Sequence, residues 1–195
     1  AQLLRLIGKQ VTLIATGPRL IPVADPYLSD YITTELSKSG IKILTEATIE
    51  ASAEGGIRVD GELVSVTRLI NAQPRQAVVP PSEVELTMAD GFIQVDNHLR
   101  TNIPGIFAIG DVNGQTTLAH VASVQGLHAV NYLKGIGAKI DYLRHPLNIY
   151  TVPEIAQIGL TEPELKTKGI DYKVNEFGLT ANGKALVEGN SEGMI

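Results

Sequence analysis

The apolar positions in the first 45 residues alternate between helical and strand spacing. Residues 1–7 resemble the end of a helix, and Val11–Ile14 is a short, mostly β-branched run typical of a buried parallel strand. Between Pro26 and Gly40 the apolar side chains fall on one helical face, and Ile41–Leu44 predicts a second strand. This order of helix, strand, helix and strand predicts half of a doubly wound α/β unit. A chain that begins inside such a helix is expected to have lost a segment upstream.

The spacing of the apolar residues changes after residue 46. Asp60-Gly61 stands between two alternating runs and predicts a tight hairpin, and Thr67–Ala72 predicts one more strand. Residues 73–90 contain three prolines and predict a connecting loop, after which Asp90-Gly91 predicts a second hairpin.

A third apolar run carries the first candidate for chemistry. Ile106–Ile109 predicts a buried strand, and it is followed directly by Gly110-Asp111. The carboxylate of Asp111 either caps a turn or faces a ligand, because open α/β sheets bind ligands at the carboxyl ends of their strands.

The last part of the chain combines a long helix with a mixed segment. A helix is predicted from Ala119 to Lys134, with several small residues on one face. In residues 146–195 the pattern predicts two strands, a short helix with Thr161 as N-cap, and further strands near Asp171–Leu179 and Ala185–Glu188. This is an α+β segment.

Composition narrows the function classes. The chain has 195 residues, 44% of them hydrophobic, and a formal charge of −5, so we expect no nucleic-acid partner. No apolar run reaches the roughly 20 residues of a membrane span and no signal peptide opens the chain, so we expect no membrane and a cytoplasmic location. Cysteine is absent and the four histidines lack ligand spacing, so we expect no thiol chemistry in these residues and no metal.

Several motifs occur in the order and spacing of one enzyme family. The stretches GFIQVDNHLRTNIPGIFAIGDV, TTLAHVASVQG and YTVPEIAQIGLTE follow one another, and GIDYKVNEFGLTANGKAL continues them. Together they resemble the pyridine nucleotide–disulfide oxidoreductases, and within that family the dihydrolipoamide dehydrogenase and mercuric-reductase-like branches. The resemblance covers nearly the whole chain.

The resemblance implies an FAD site. Asp111 resembles the aspartate that binds the ribityl chain of FAD, and Gly110 leaves room for the cofactor. Leu118, Ala119 and His120 resemble the residues at a helix start that approaches the flavin, where the positive helix end favours a reduced, anionic flavin. His120 is interpreted as a structural residue of the helix start rather than a catalytic base.

The resemblance also implies a site for NAD or NADP. The family places an acid at the end of the strand Val11–Ile14 in members that prefer NAD, whereas Ala15 and Thr16 stand here. Arg19 is a candidate partner for a 2′-phosphate, although it also fits an ordinary run of the family. The segment Ala72–Val78 has Pro74 where a glycine is common, which predicts changed nucleotide binding.

The implied fold class is α/β with three parts. These are the second half of an NAD(P)-binding domain (1–72), a returning segment of an FAD-binding domain (73–145), and the start of an α+β interface domain that dimerises (146–195). The expected partners are a second copy, in a homodimer, and components of a 2-oxo acid dehydrogenase complex. The redox cysteines and the His-Glu pair of the family are absent, so we expect no catalytic residue here and no activity from this chain alone.

Two other interpretations stay open at this point. The parent enzyme could act on another acceptor, as the mercuric- and glutathione-reductase-like enzymes do. The chain could also be a nucleotide-binding or dimerisation module without redox activity.

Overall fold

The structure, a computed structural model, describes residues 1–51, 56–73, 76–137, 139–189 and 191–195. The chain forms two compact units. One unit combines Ala1–Leu69 with Pro146–Ile195, and the other consists of Ile70–His145. The predicted division into 1–72, 73–145 and 146–195 remains a prediction.

The first unit begins with the predicted α/β half. Its elements are helix α1 (Gln2–Leu6), strand β1 (Thr12–Ile14), helix α2 (Pro26–Lys38) and strand β2 (Lys42–Leu44). Strands β1 and β2 pair in parallel, with Leu13 opposite Ile43, as the helix between them predicts. Helix α2 begins where the Asp25 carboxylate accepts a hydrogen bond from Tyr27 N, with Pro26 in the first turn.

The core of this unit unites distant parts of the sequence. Ile32 and Leu36 of α2 are buried together with Ile41 and with Ile155, which belongs to the C-terminal segment. A hydrogen bond also joins the start of α2 to the C-terminal segment: Asp25 N donates to Gln157 Oε1 over 2.6 Å. Helix α2 therefore shares one core with Ile41, next to β2, and with a segment that lies far away in sequence.

A three-stranded antiparallel sheet follows β2. It consists of β3 (Ile49–Ala51), β4 (Ile57–Val59) and β5 (Glu62–Val64) in that order. Asp60 and Gly61 both have positive φ, at 51° and 82°, as a two-residue hairpin turn with the twist of the strands requires. The predicted hairpin is confirmed.

The remainder of the first unit begins with a pair of antiparallel strands followed by a helix. Strands β8 (Leu147–Ile149) and β9 (Ile155–Gln157) pair antiparallel, and helix α4 (Glu162–Lys168) follows them. Thr161 caps α4 in a capping box, since its backbone N–H and its hydroxyl both donate to the Glu164 carboxylate, each over 2.8 Å. The predicted N-cap is confirmed.

This capping box makes part of the stability depend on pH. The two hydrogen bonds from Thr161 hold the pKa of Glu164 below its usual 4.5. The stabilisation is therefore present above pH 4.5 and is lost as the pH falls through the lower pKa of the folded protein. In Glu164→Gln, we expect the difference in unfolding free energy from the unchanged chain to be widest above pH 4.5 and to shrink below it, as measured by urea denaturation at several pH values. The control Glu154→Gln changes an exposed glutamate outside the box, and an equal pH profile for both variants would contradict the expectation.

Two predicted strands in this region are wrong. Residues Gly183–Glu188, expected to include a strand near Ala185–Glu188, form helix α5. The Asn182 side chain accepts from Ala185 N at the start of the helix, and Gly189 ends it with a φ of 70°. Residues 171–177 also form no strand, although Phe177 and Ile195 exchange two backbone hydrogen bonds.

The second unit contains a short hairpin and the long helix. Strands β6 (Met88–Ala89) and β7 (Phe92–Ile93) form the hairpin at Asp90-Gly91, and helix α3 spans Ala119–Leu133. Gly110–Asn113 forms one turn of 3-10 helix, and Tyr142–Arg144 forms another. The predicted hairpin at Asp90-Gly91 and the predicted helix from Ala119 are confirmed.

Two further strand predictions are wrong. Residues 67–72 form no strand, and residues 106–109 make only one antiparallel bridge, between Arg100 and Phe107. Within the described residues no parallel strand pairs with residues 106–109, and Ile106 and Ile109 are partly exposed. An apolar run becomes a strand only where a neighbouring chain segment offers successive hydrogen bonds.

Candidate functional site

Gly110 lies at a sharp change of backbone direction. Ile109 is extended, whereas Gly110 has a φ of 74° and begins the 3-10 turn that contains Asp111. A Cβ atom on Gly110 would lie 3.4 Å from the Cβ atom of Ala122 in helix α3. The positive φ therefore favours glycine, and the turn lies in van der Waals contact with the helix.

A buried polar network holds this turn in place. Gly110 N donates to Gln125 Oε1 over 2.6 Å, and Asn113 Nδ2 donates to the same oxygen and to Ala108 O, each over 3.0 Å. The Gln125 side chain is completely buried and Asn113 is buried. Since buried polar groups are costly unless they are paired, the network makes the turn rigid.

Asp111 is the acidic residue of the turn. It is half-buried, in the first position after Gly110. A carboxylate accepts hydrogen bonds only, which suits the hydroxyl groups of a polyol.

The three residues predicted at the helix start lie as expected. Leu118 is the extended N-cap of α3, and the helix has no side-chain cap. Leu118 is half-buried, and Ala119 and His120 are exposed. A helix of this length carries about half a positive charge at its N-terminus, so this end favours an anionic group.

The predicted nucleotide residues belong to the first unit. Ala15 follows β1 directly, and its backbone is fixed by hydrogen bonds of Ala15 N to Leu44 O and of Ala47 N to Ala15 O. Thr16 is exposed. The Arg19 guanidinium contacts the Asp30 carboxylate over 3.3 Å, so a 2′-phosphate would have to compete with this ion pair. Such an exposed pair is weak.

The structure brings the residues predicted for FAD into one unit, and it leaves the prediction about Pro74 untested. Gly110 packs against Ala122 in the first half of α3, and Gly110 and Asp111 lie in the same unit as Leu118, Ala119 and His120. Pro74 lies outside the described residues, so its expected effect on nucleotide binding stays a prediction.

Sequence reasoning missed the residues that position the turn. Neither Asn113 nor Gln125 was a candidate, although both are buried. The sequence does contain one signal for Gln125: it is an amide among the small and apolar residues of the predicted helix. A buried amide needs hydrogen-bond partners, so its presence there points to a polar network.

The described residues contain neither a metal-binding cluster nor a membrane-spanning helix. No group of three or more histidine, aspartate or glutamate side chains among them is placed to hold a metal ion. None of the helices within these residues is long and apolar enough to cross a membrane.

Comparison with known proteins shows which family this fold and this turn represent. Residues 1–126 match the family described as pyridine nucleotide-disulphide oxidoreductase, and residues 145–195 match its dimerisation domain. The chain belongs to the pyridine nucleotide-disulphide oxidoreductase family, whose members are oxidoreductases.

Curated relatives match over the whole chain. It is 33% identical over 204 residues to a dihydrolipoyl dehydrogenase of Bacillus subtilis, covering 100% of this chain and 44% of the relative. It is 35% identical over 205 residues to one of Chlamydia pneumoniae, covering 99% of this chain and 44% of the relative. The chain thus spans less than half the length of either relative.

Solved structures share the fold. A copper(II) complex of a variant of the HOCl-induced flavoprotein disulfide reductase RclA from Escherichia coli superposes with a TM-score of 0.85 at 24% identity, covering 97% of this chain and 45% of that one. LpdA from Mycobacterium tuberculosis superposes with a TM-score of 0.74 at 21% identity, covering 97% of this chain and 44% of that one.

Proposed function

We propose that this chain supplies part of the FAD site of a flavin-dependent disulfide oxidoreductase. The observation that carries the proposal is the Gly110-Asp111 turn, held against helix α3 by the Gln125 side chain. Relatives named dihydrolipoyl dehydrogenase support the oxidation of dihydrolipoamide by NAD⁺ as the activity of the whole enzyme.

The residues present fit FAD. Gly110 adopts the positive φ of 74° at which the backbone turns into the segment that carries Asp111. The Asp111 carboxylate would accept hydrogen bonds from ribityl hydroxyls, and the backbone from Leu118 to His120 would offer the positive end of α3 to the flavin. When bound, FAD supplies the transfer of a hydride and of electrons between a nicotinamide and a dithiol.

The dithiol step itself is not carried by these residues. The chain contains no cysteine, and thiol–disulfide exchange requires thiolates. We therefore expect no NADH–lipoamide turnover from this chain alone, and measurable turnover would contradict the assignment of its residues to cofactor binding only.

The nicotinamide nucleotide is proposed to bind at the carboxyl end of β1. Ala15 and Thr16 are the residues there, and Arg19 is the candidate for a 2′-phosphate. Because no acid follows β1, both NAD and NADP remain proposals for this site.

The proposed assembly is a homodimer. The match of residues 145–195 to a dimerisation domain supports a second copy as the partner. A role in a cytoplasmic 2-oxo acid dehydrogenase complex is proposed from the names of the relatives alone.

The proposal is tested on the whole enzyme that contains this chain, freed of flavin and titrated with FAD while the flavin fluorescence is followed. We expect saturable binding and a loss of about tenfold in affinity in Asp111→Asn, because a hydrogen bond to a charged group contributes about 1.5–3 kcal/mol.

The matched control for Asp111→Asn is Asp90→Asn. Asp90 is an exposed aspartate in the same unit, at a turn with a φ of 51° that asparagine also adopts, so FAD affinity should not change. The absence of saturable binding in the unchanged enzyme would refute the proposed FAD site, and equal affinities in all three proteins would refute the role of Asp111.

A further inference from the structure

Both polar atoms of the Gln125 side chain form hydrogen bonds, each with different neighbours. Its Oε1 atom accepts from Gly110 N and from Asn113 Nδ2, and its Nε2 atom donates to the Tyr142 hydroxyl over 3.0 Å. The side chain is completely buried, in the middle of helix α3.

The orientation of this amide is determined by its neighbours. A backbone N–H can only donate, so Oε1 must face Gly110. Asn113 Nδ2 is also a fixed donor, because it donates to the Ala108 carbonyl as well. The Nε2 atom of Gln125 must therefore face Tyr142.

The hydrogen bonds connect three separate chain segments. They join the turn that contains Asp111, helix α3, and the 3-10 helix Tyr142–Arg144 that follows α3. We propose that Gln125 and Tyr142 are positioning residues for FAD, with Gln125 acting on Gly110 and Tyr142 acting through Gln125. This inference rests on the proposed FAD site at Asp111.

The physical reason lies in the glycine. Gly110 has no side chain to pack and little conformational preference of its own, so its hydrogen bond to Gln125 determines how its peptide is oriented. That orientation sets where Asp111, the next residue, directs its carboxylate. The Tyr142 hydroxyl in turn restrains the rotation of the Gln125 amide.

Two variants, and the NMR signal of the Gly110 amide proton, test the inference. Gln125→Met keeps the length of the side chain and removes both of its polar ends, and we expect FAD affinity to fall at least tenfold in a fluorescence titration. Tyr142→Phe keeps the ring and removes only the hydroxyl, and we expect a two- to fivefold loss. In the NMR spectrum of Tyr142→Phe, the resonance of the Gly110 amide proton should shift, and this proton should exchange faster with solvent. A general loss of stability would not produce these changes at this amide alone.

Matched controls separate positioning from general effects. Gln115→Met alters an exposed glutamine just after the turn, and Tyr132→Phe removes a different phenol hydroxyl in the same unit. Both should keep the FAD affinity and the Gly110 signal of the unchanged enzyme. If Gln125→Met does not fold, as judged by circular dichroism, the milder Tyr142→Phe variant decides the test.

The outcomes distinguish the two proposals. Saturable FAD binding with equal affinity in the unchanged enzyme and in the folded variants, or an unmoved Gly110 signal in Tyr142→Phe, would overturn the positioning role and leave the FAD site intact. A failure of the unchanged enzyme to bind FAD would overturn both.

Discussion

Gly110→Val is expected to weaken FAD binding at least tenfold and to lower the free energy of unfolding by about 1–2 kcal/mol or more. The φ of 74° is unfavourable for any residue with a Cβ atom and most unfavourable for a β-branched one. The added Cβ would also stand 3.4 Å from Ala122, with two methyl groups beyond it. Moving the backbone to relieve this contact breaks the 2.6 Å hydrogen bond to Gln125 and displaces Asp111. FAD titration and urea denaturation measure the two effects.

A second glycine separates these effects from each other. Gly105 has a similar φ of 80°, but a Cβ atom there would meet no atom within 4 Å. Gly105→Val should therefore share the conformational cost and keep its FAD affinity. Equal losses of affinity in both variants would show that general stability, and not the geometry of the Gly110 turn, controls FAD binding.

Ile32→Ala is expected to lower the free energy of unfolding by about 2–5 kcal/mol. Ile32 is completely buried against Leu36, Ile41 and Ile155, so its truncation leaves a cavity at the centre of the first unit. Since whole domains are stable by only about 5–15 kcal/mol, this truncation removes a large part of the total free energy of unfolding. Urea denaturation followed by circular dichroism gives the difference.

The control for Ile32→Ala lies on the other face of the same helix. Thr34 is exposed, and alanine has the higher helix propensity, so Thr34→Ala should change stability by less than about 0.5 kcal/mol. Ile155→Ala should destabilise the chain about as much as Ile32→Ala does. If Ile155→Ala has no effect, the C-terminal segment does not share the core of α2.

Elements with a local cause were predictable from the sequence. Asp60-Gly61 and Asp90-Gly91 form tight hairpin turns because aspartate and glycine tolerate positive φ at both central positions. Helix α2 follows from the spacing of Ile32 and Leu36 and from the cap at Asp25. In each case the residues that cause the structure lie within one or two turns of it.

Errors arose where a strand depended on a partner. Residues 106–109 and 67–72 are apolar enough for strands, but the described chain offers the first only one bridge and the second none. The helix at Gly183–Glu188 had a local signal that was overlooked, since Asn182 and Gly189 are typical residues before and after a helix.

The sequence by itself determined the family, the parallel α/β start, the two Asp-Gly hairpins and the Gly110-Asp111 motif, because turns, caps and apolar periods depend on neighbouring residues. Only the tertiary structure decided that Ile155 completes the core of α2 and that Gln125 links Gly110 to Tyr142. Both depend on which distant segments meet, and a buried amide or an apolar side chain has the same local pattern whatever its partner is. The candidate FAD site is therefore a motif that the sequence contains and a geometry that the fold supplies.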